Sequence, residues 1–415
     1  LGIFAARAAA QVARGNGKRM TTETGHDSRN SASLVIGAIA AQIMGGLVTQ
    51  MSPFVIAGLI TGLSLSERGA GFIGSVELIT LAVTAIGIAP VLPRFSYRRV
   101  AIVATVLTLL VQGASIFTTS WAAFAVQRGF AGIGEGALYA VSLCIVASHC
   151  SNPDRVYGYF QVVWALGSVA LFAVGGELTA AFAHRGIVAL IAGVTLVLAP
   201  LLALIPDAPA QHHDGVEAHA RSRSSLLGVM TLAAIGLYLT VSSAIYVFSA
   251  PLGARSGLDT RAVGYALTAA SLVGLAGAGA ATAIDIRWGR ARPISGFCIA
   301  FSLVALVLCL SRNPTAYVVA LVASVIVYYF SLPYLFGLAA ALDRHGRWAA
   351  AAGSAYLLGF AAGPLVAGGV IATTGYAGLA AVSVAITSVT WGLAMVVDRR
   401  LKASASPAEL PPTAA

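Results

Sequence analysis

Three ionisable side chains lie inside long apolar runs: Glu77 in GSVELI, and Arg128 and Glu135 in QRGFAGIGEGALYA. A charged group deep in hydrocarbon costs at least about 2.5–3.5 kcal/mol, which makes each a candidate functional position. Arg128 cannot shed its proton, so it needs a carboxylate, backbone carbonyls or an anionic ligand. Glu135 can escape the desolvation cost by taking up a proton, as a site that moves protons must. Arg128 lies seven residues beyond Trp121, an indole suited to a membrane interface, and Glu135 lies seven further. Such a step is nearly two helical turns, about 10 Å. It puts both side chains on one side of a helix, yet too far apart for a direct ion pair. Glu77 is expected at the depth of Arg128 and is its expected partner. Gly129, Gly132, Gly134 and Gly136 thin the same helix, so that a neighbour or a small molecule can approach its backbone. The competing reading is a buried Glu77–Arg128 pair with a purely structural role.

Residues at such depth need elements that span a bilayer. The 415 residues are 58% hydrophobic and 10% charged, against about 25% charged in soluble domains. This composition excludes an ordinary soluble enzyme and indicates a polytopic membrane protein. Polar and Pro/Gly breaks separate twelve apolar stretches, at 33–57, 70–92, 99–118, 121–148, 156–181, 186–206, 225–250, 262–284, 293–311, 315–340, 348–372 and 376–397. Each is long enough as a helix to cross a hydrocarbon layer of ~30 Å. The alternation expected of outer-membrane strands is absent from the sequence. The expected fold is therefore all-α, with twelve transmembrane helices. If the N-terminus is cytoplasmic, nineteen of the 25 Lys and Arg residues fall in cytoplasmic segments and five in outside loops, with Arg128 inside a span. That asymmetry is the positive-inside pattern, with both termini cytoplasmic in an inner membrane. The net charge of +10 then belongs to one membrane face, and nucleic acid is not needed to explain it.

The longest polar interruption, DAPAQHHDGVEAHARSRS at 207–224, falls at the chain's centre. It divides a bundle over 33–206 from a second over 225–397, with a tail at 1–32 and another at 398–415. The chain opens on Leu1, and Met20 is a candidate initiator, which makes 1–19 an upstream extension. His212, His213 and His219 read as part of a solvated linker rather than a metal site. Cys144, Cys150, Cys298 and Cys309 lie singly and read as apolar packing residues. Landmarks recur between the halves, as expected of two pseudo-symmetric six-helix bundles. PRFSYRR (93–99) follows span 2 and DIRWGR (285–290) follows span 8, while Asp154-Arg155 follows span 4 and Asp343-Arg344 follows span 10.

Two six-helix halves with a central loop and basic loops after spans 2 and 8 resemble the major facilitator superfamily of secondary transporters. That family's loop signature reads Gly, three residues, Asp-Arg, any, Gly, Arg, then Arg or Lys. The first half keeps Arg94, Arg98 and Arg99 but has Ala89, Pro93 and Ser96 at the glycine, aspartate and second glycine. The second half keeps Asp285, Arg287, Gly289 and Arg290, with one extra residue after the aspartate. Span 4 resembles the family's Arg, two residues, Gln, Gly, any, Gly. Arg128, Gly132 and Gly134 match, and Ala131 replaces the glutamine. The resemblance links Arg128 to proton coupling; Glu135 rests on depth and chemistry alone.

The resemblance also implies a central cavity lined by spans 1, 4, 7 and 10. On those spans, Gln42, Gln50, Tyr238, Tyr246, Tyr328, Tyr329 and Tyr334 are the cavity candidates, with Gln161 and Trp164 on span 5. Aromatic faces with amide and hydroxyl groups suit a flat organic solute, with an anion as the form that would answer Arg128. Glu177, near the outer end of span 5, is expected to reach interfacial water. GFAAGPLVAGG (359–369) resembles the Gly-Pro motif of exporters but occurs on span 11. The sequence carries no P-loop, HExxH or GxSxG. The expected protein is not an enzyme and uses no cofactor or metal. It is a monomeric, proton-coupled carrier of a small organic solute in the lipid bilayer. The alternatives are an exporter of amphipathic compounds, or a non-transporting sensor on a transporter scaffold.

Overall fold

The computed structural model describes residues 32–150, 153–205, 207, 225–284, 287, 289–342 and 347–405. The N-terminal tail, His212, His213, His219, Asp285 and Asp343-Arg344 lie outside the described residues, as do the side chains of Asp154, Arg155 and Gln161.

The long helices are α1 (Ala32–Gly62), α2 (Glu67–Ile88), α3 (Tyr97–Phe117), α4 (Trp121–His149) and α5 (Pro153–Leu198). After the centre come α6 (Ser225–Val247), a short α7 (Ser249–Arg255), α8 (Thr260–Ile284), α9 (Ala291–Leu310), α10 (Pro314–Ala340) and α11 (Arg347–Ala405). Among the described residues ten helices are long and apolar enough to cross a membrane. Their boundaries follow the sequence's own stop and start signals. Ser66, Ser96 and Asn313 cap α2, α3 and α10 by accepting from Gly69, Arg99 and Ala316 N–H groups.

Two expected breaks are not loops. The stretches 156–181 and 186–206 are joined in α5, and 348–372 and 376–397 are joined in α11. The chain turns at single residues, Ala183 (φ 52°, ψ −135°) and Gly375 (φ 69°, ψ −170°). Glycine costs little in that left-handed region, whereas alanine is strained there. The stretch 186–206 also ends earlier as α-helix, finishing in a 3-10 segment, Ala199–Leu204. The stretch 225–250 stops at Val247 before α7 begins.

Packing repeats along the chain. Helix α1 packs on α5 as α6 packs on α11, α2 on α4 as α8 on α10, and α3 on α4 as α9 on α10. The largest contacts joining the first part to the second are those of α2 with α11 and of α5 with α8. The outer faces of α3, α5 and α9 carry exposed large apolar residues, among them Val103, Leu110, Val197 and Ile299. Such a belt is stable against lipid and not against water.

Candidate functional site

Arg128 is completely buried, and two neighbouring helices, α2 and α3, satisfy it. Its Nη1 donates to Glu77 Oε1 and to Gln112 Oε1, both at 2.9 Å, and its Nη2 donates to Ser115 Oγ at 2.6 Å. The guanidinium also lies 4.8 Å from the centre of the Phe124 ring. Gln112 continues the chain, its Nε2 donating to Glu135 Oε1 at 3.2 Å. Arg128 and Glu135 thus share an amide rather than a direct ion pair. Two carboxylates and one guanidinium sit together with no exposure to solvent or lipid beyond 1%. Glu77 Oε2, Arg128 Nε and Glu135 Oε2 have no hydrogen-bond partner among the described residues. Gln112 and Ser115, both on α3, complete the cluster and were not singled out in the sequence, because neutral amides and hydroxyls are not costly enough to stand out in an apolar run.

The glycines of α4 let this cluster assemble. A Cβ on Gly132 would strike Glu77 O and Thr80 Oγ1, and one on Gly136 would strike Leu81 O, so α2 and α4 touch through their backbones. Gly129 has ordinary room around it.

A central cavity of about 230 Å³ lies apart from the cluster. Gln42, Gln50, Trp164, Tyr246, Tyr328 and Tyr329 line it, and neither Glu77, Arg128 nor Glu135 does. Arg128 therefore offers no charge to a bound solute here, contrary to the expectation of an anion answering it. Tyr238 and Tyr334 are not at the cavity either. Tyr238 is buried with its ring 5.2 Å from Phe297 and 5.3 Å from Phe301, and Tyr334 packs 5.2 Å from Phe330. Eight residues along a helix return only to within about 80° and shift about 12 Å in depth, so Tyr238 meets different neighbours from Tyr246. Residues missed from the sequence, Tyr139, Phe301, Tyr356 and Phe360 among them, complete the aromatic wall.

Much of the cavity's polar lining is tied together. Gln50 Nε2 donates to Ser168 Oγ at 2.9 Å, Trp164 Nε1 donates to Gln50 Oε1 at 3.1 Å, and Tyr246 OH donates to Gln50 O at 2.6 Å. Ser142 donates to Gln42, and the Tyr328 and Tyr356 hydroxyls pair with each other.

The contacts between the first and second parts of the chain gather at the end holding the α1–α2 and α3–α4 turns. There Arg261 Nε meets Glu177 Oε2 at 2.8 Å, and Tyr265 OH donates to Glu177 Oε1 at 2.8 Å. Glu177, expected to face interfacial water, is 40% exposed at this junction. Ser75 reaches α11, donating to Ala361 O at 2.9 Å and accepting from Leu365 N at 2.8 Å.

At the opposite end the loop signature is tied to its own half. Arg98 Nε donates to Ile205 O at 2.6 Å, Arg99 lies 3.6 Å from Asp207, and Ser96 donates to Asp207. Arg94 closes a 3-10 turn, Leu92–Arg94. In the second half Arg287 N bonds Ile284 O at 3.2 Å, Gly289 has φ +70°, and Arg290 precedes α9. The Ser96 hydrogen bond holds the Asp207 carboxyl below its ordinary range, with Arg99 and Arg98 adding to the effect. A depressed carboxyl contributes its stabilisation above the unfolded-state value and loses it as pH falls through the folded one. The protection of the 96–99 amides against hydrogen exchange, corrected for the intrinsic rate at each pH, should therefore be high at neutral pH and fall at acid pH. Asp207→Asn should show the acid behaviour throughout; slow exchange in that variant at neutral pH would exclude the carboxylate as the tether.

Among the described residues no group of three or more His, Cys, Asp or Glu side chains is placed to hold a metal ion. All four cysteines are free.

The polytopic α-helical protein thus holds an aromatic-lined cavity between repeating helix sets, with a buried charge cluster apart from it. Its sequence matches the profile of the Major Facilitator Superfamily over residues 34–342, and the chain belongs to that family. It is accordingly a transporter of small solutes and not an enzyme. No curated protein matches the chain in sequence. Among solved structures, a bacterial homolog of the human lysosomal transporter Spinster in the inward-facing, occupied conformation matches with TM-score 0.71 and 14% identity, covering 92% of this chain and 100% of that one. Its unoccupied form gives TM-score 0.70 at 14% identity over the same shares of the two chains. The nucleoside transporter NupG matches with TM-score 0.64 and 12% identity, over 90% of this chain and 98% of that one. At these identities the likeness is one of fold.

Proposed function

We propose that this chain is a proton-coupled secondary transporter working by alternating access of two six-helix bundles, residues 33–206 and 225–397. Counting α5 and α11 as two crossings each at Ala183 and Gly375 raises ten membrane helices to twelve. The repeated packing pairs support two equivalent halves. The positive-inside pattern puts residues 1–32, 207–224 and 398–415 in the cytoplasm of an inner-membrane protein. The contacts between halves then close the outer side, so the conformation is inward-facing, and it acts as a monomer.

The observation that carries proton coupling is the Glu77–Arg128–Gln112–Glu135 chain. Arg128 cannot be deprotonated, so Arg128 with two carboxylates is net negative until one proton binds. Glu77 is held directly by the guanidinium, so Glu135, which touches only the Gln112 amide, takes that proton. One turn along α4, Tyr139 enters the cavity, and Gly45 of α1 packs on the backbone between Glu135 and Tyr139. Loading or emptying Glu135 thereby alters the α1–α4 contact at the cavity wall. In proteoliposomes carrying a solute that stabilises the purified protein, Glu135→Gln is expected to keep solute exchange and lose accumulation driven by a pH gradient. Wild-type pH dependence in that variant would remove Glu135 from the mechanism.

A further inference from the structure

We infer that the cavity takes an uncharged aromatic solute of one or two rings that carries a hydroxyl or similar hydrogen-bonding group. This inference rests on the transporter reading and adds the class of its cargo.

The first argument is charge. Among the described residues no Asp, Glu, Lys, Arg or His side chain lines the cavity. The nearby guanidinium is no substitute, since Arg128 is completely buried and spends both terminal nitrogens on Glu77, Gln112 and Ser115. A charged solute entering this space would leave water without a counter-charge, which strongly disfavours it. Shape is the second argument. Trp164 from the first half and Tyr246, Tyr328 and Phe360 from the second enclose the space, and Tyr356 stacks on Phe360 at 19°. Flat aromatic walls on both sides favour a flat partner. A volume of about 230 Å³ exceeds the ~150 Å³ that holds benzene, leaving room for a second ring or a short side chain.

The third argument is the count of free polar groups. Gln50, Trp164, Tyr246, Tyr328 and Tyr356 have their polar atoms engaged with protein, and Ser271 and Ser324 bond to their own helices. Thr49 on α1, Ser242 on α6 and Tyr329 on α10 also line the cavity, and their hydroxyls are the ones not engaged in this way among the described residues. They come from both halves, Thr49 from the first and Ser242 and Tyr329 from the second. A solute with one or two hydrogen-bonding groups can bridge them, and a strongly polar one such as a sugar would leave most of its hydroxyls unmatched.

Full-length protein in lipid nanodiscs would be titrated calorimetrically, near neutral pH, with four probes sharing one ring system. These are 3-(2-hydroxyethyl)indole (uncharged), tryptamine (cationic), indole-3-acetate (anionic) and 3-ethylindole (uncharged, no hydroxyl). The hydroxyethyl probe is expected to bind about tenfold or more tightly than either charged one. Tyr329→Phe is expected to weaken it by about threefold or more and leave 3-ethylindole unchanged. A charged probe binding as tightly as the hydroxyethyl probe, or no binding by any of the four, overturns the inference. So does an equal loss for both uncharged probes in Tyr329→Phe. The transporter reading fails separately, by a different measurement. Spin labels at Glu177→Cys and Arg261→Cys would then report one fixed distance at every pH and with every probe. Labels that move in a protein indifferent to the indoles refute the solute class alone.

Discussion

Replacing Arg128 with methionine is expected to lower stability by about 3–5 kcal/mol, because the change strands the buried Glu77 carboxylate without its guanidinium partner. Glu77→Leu should cost at least as much. It leaves a guanidinium that cannot neutralise itself, and Arg128 Nη1 loses its 2.9 Å partner. The double variant is the informative one. With both charges gone, the site is apolar at that position, and the combined loss should fall short of the sum of the single losses by about 0.5–3 kcal/mol. Unfolding in lipid bicelles reads all three. Strict additivity would mean that the 2.9 Å contact contributes nothing as a pair. The same series separates structure from transport. A double variant that regains the folded state and still fails to couple solute to protons assigns the cluster a working role; one that regains both reduces Glu77–Arg128 to scaffolding.

The sequence carried the helices well because the bilayer imposes a length on each, and apolar runs of that length end at recognisable caps such as Ser66, Ser96 and Asn313. It carried the meeting of Glu77 with Arg128 for a related reason. Two ionisable residues at equal depth in hydrocarbon have few alternatives. Gln112 was not legible, since nothing in its own surroundings in the sequence distinguishes an amide bridging two charges from one on a wall. The breaks near 182–185 and 373–375 were legible, and the chain turns there at Ala183 and Gly375; what was not legible is that one residue with positive φ, rather than a polar loop, makes each turn. The cavity was legible by composition but not by membership. Tyr238 and Tyr246 lie about 80° apart around the helix and about 12 Å apart along it; one is wedged between Phe297 and Phe301 and the other reaches Gln50. Depth along the helix and the neighbouring helices decide that, and periodicity encodes neither. The separation of Arg128 from the cavity is likewise a tertiary fact, set by which face of α4 meets α2 and α3.

The junction of α2 with α11 should control which side of the protein opens. Pro364 has no N–H, so Phe360 O lacks its helical partner and accepts instead from Ser243 at 2.7 Å. Ala361 O and Leu365 N are the two ends of the next helical hydrogen bond, and Ser75, from the other half, engages both. The proline turn is thus attended by one serine from each half, and the Ser75 side must let go when the halves part. Around it the helices are in backbone contact. A Cβ on Gly71 would collide with Pro364 O, and one on Gly368 would meet Glu67 O at 2.5 Å. Gly71→Leu cannot be absorbed by a side-chain rotation, because the obstacle is main chain. Overpacking of this kind costs about 1–3 kcal/mol, and it acts only on the conformation in which α2 and α11 touch. A bias of that size shifts a two-state balance by about five- to 150-fold. The expected result is a protein held open on the Glu67–Gly368 side. Spin labels at Ser66→Cys and Gly369→Cys should sit farther apart than in the unmodified background, and net transport should fall by about tenfold or more. Ser75→Ala, which removes the latch without adding bulk, should move the same distance in the same direction by a smaller amount. Labels that stay at the closed distance in Gly71→Leu would show that the halves do not separate along this seam.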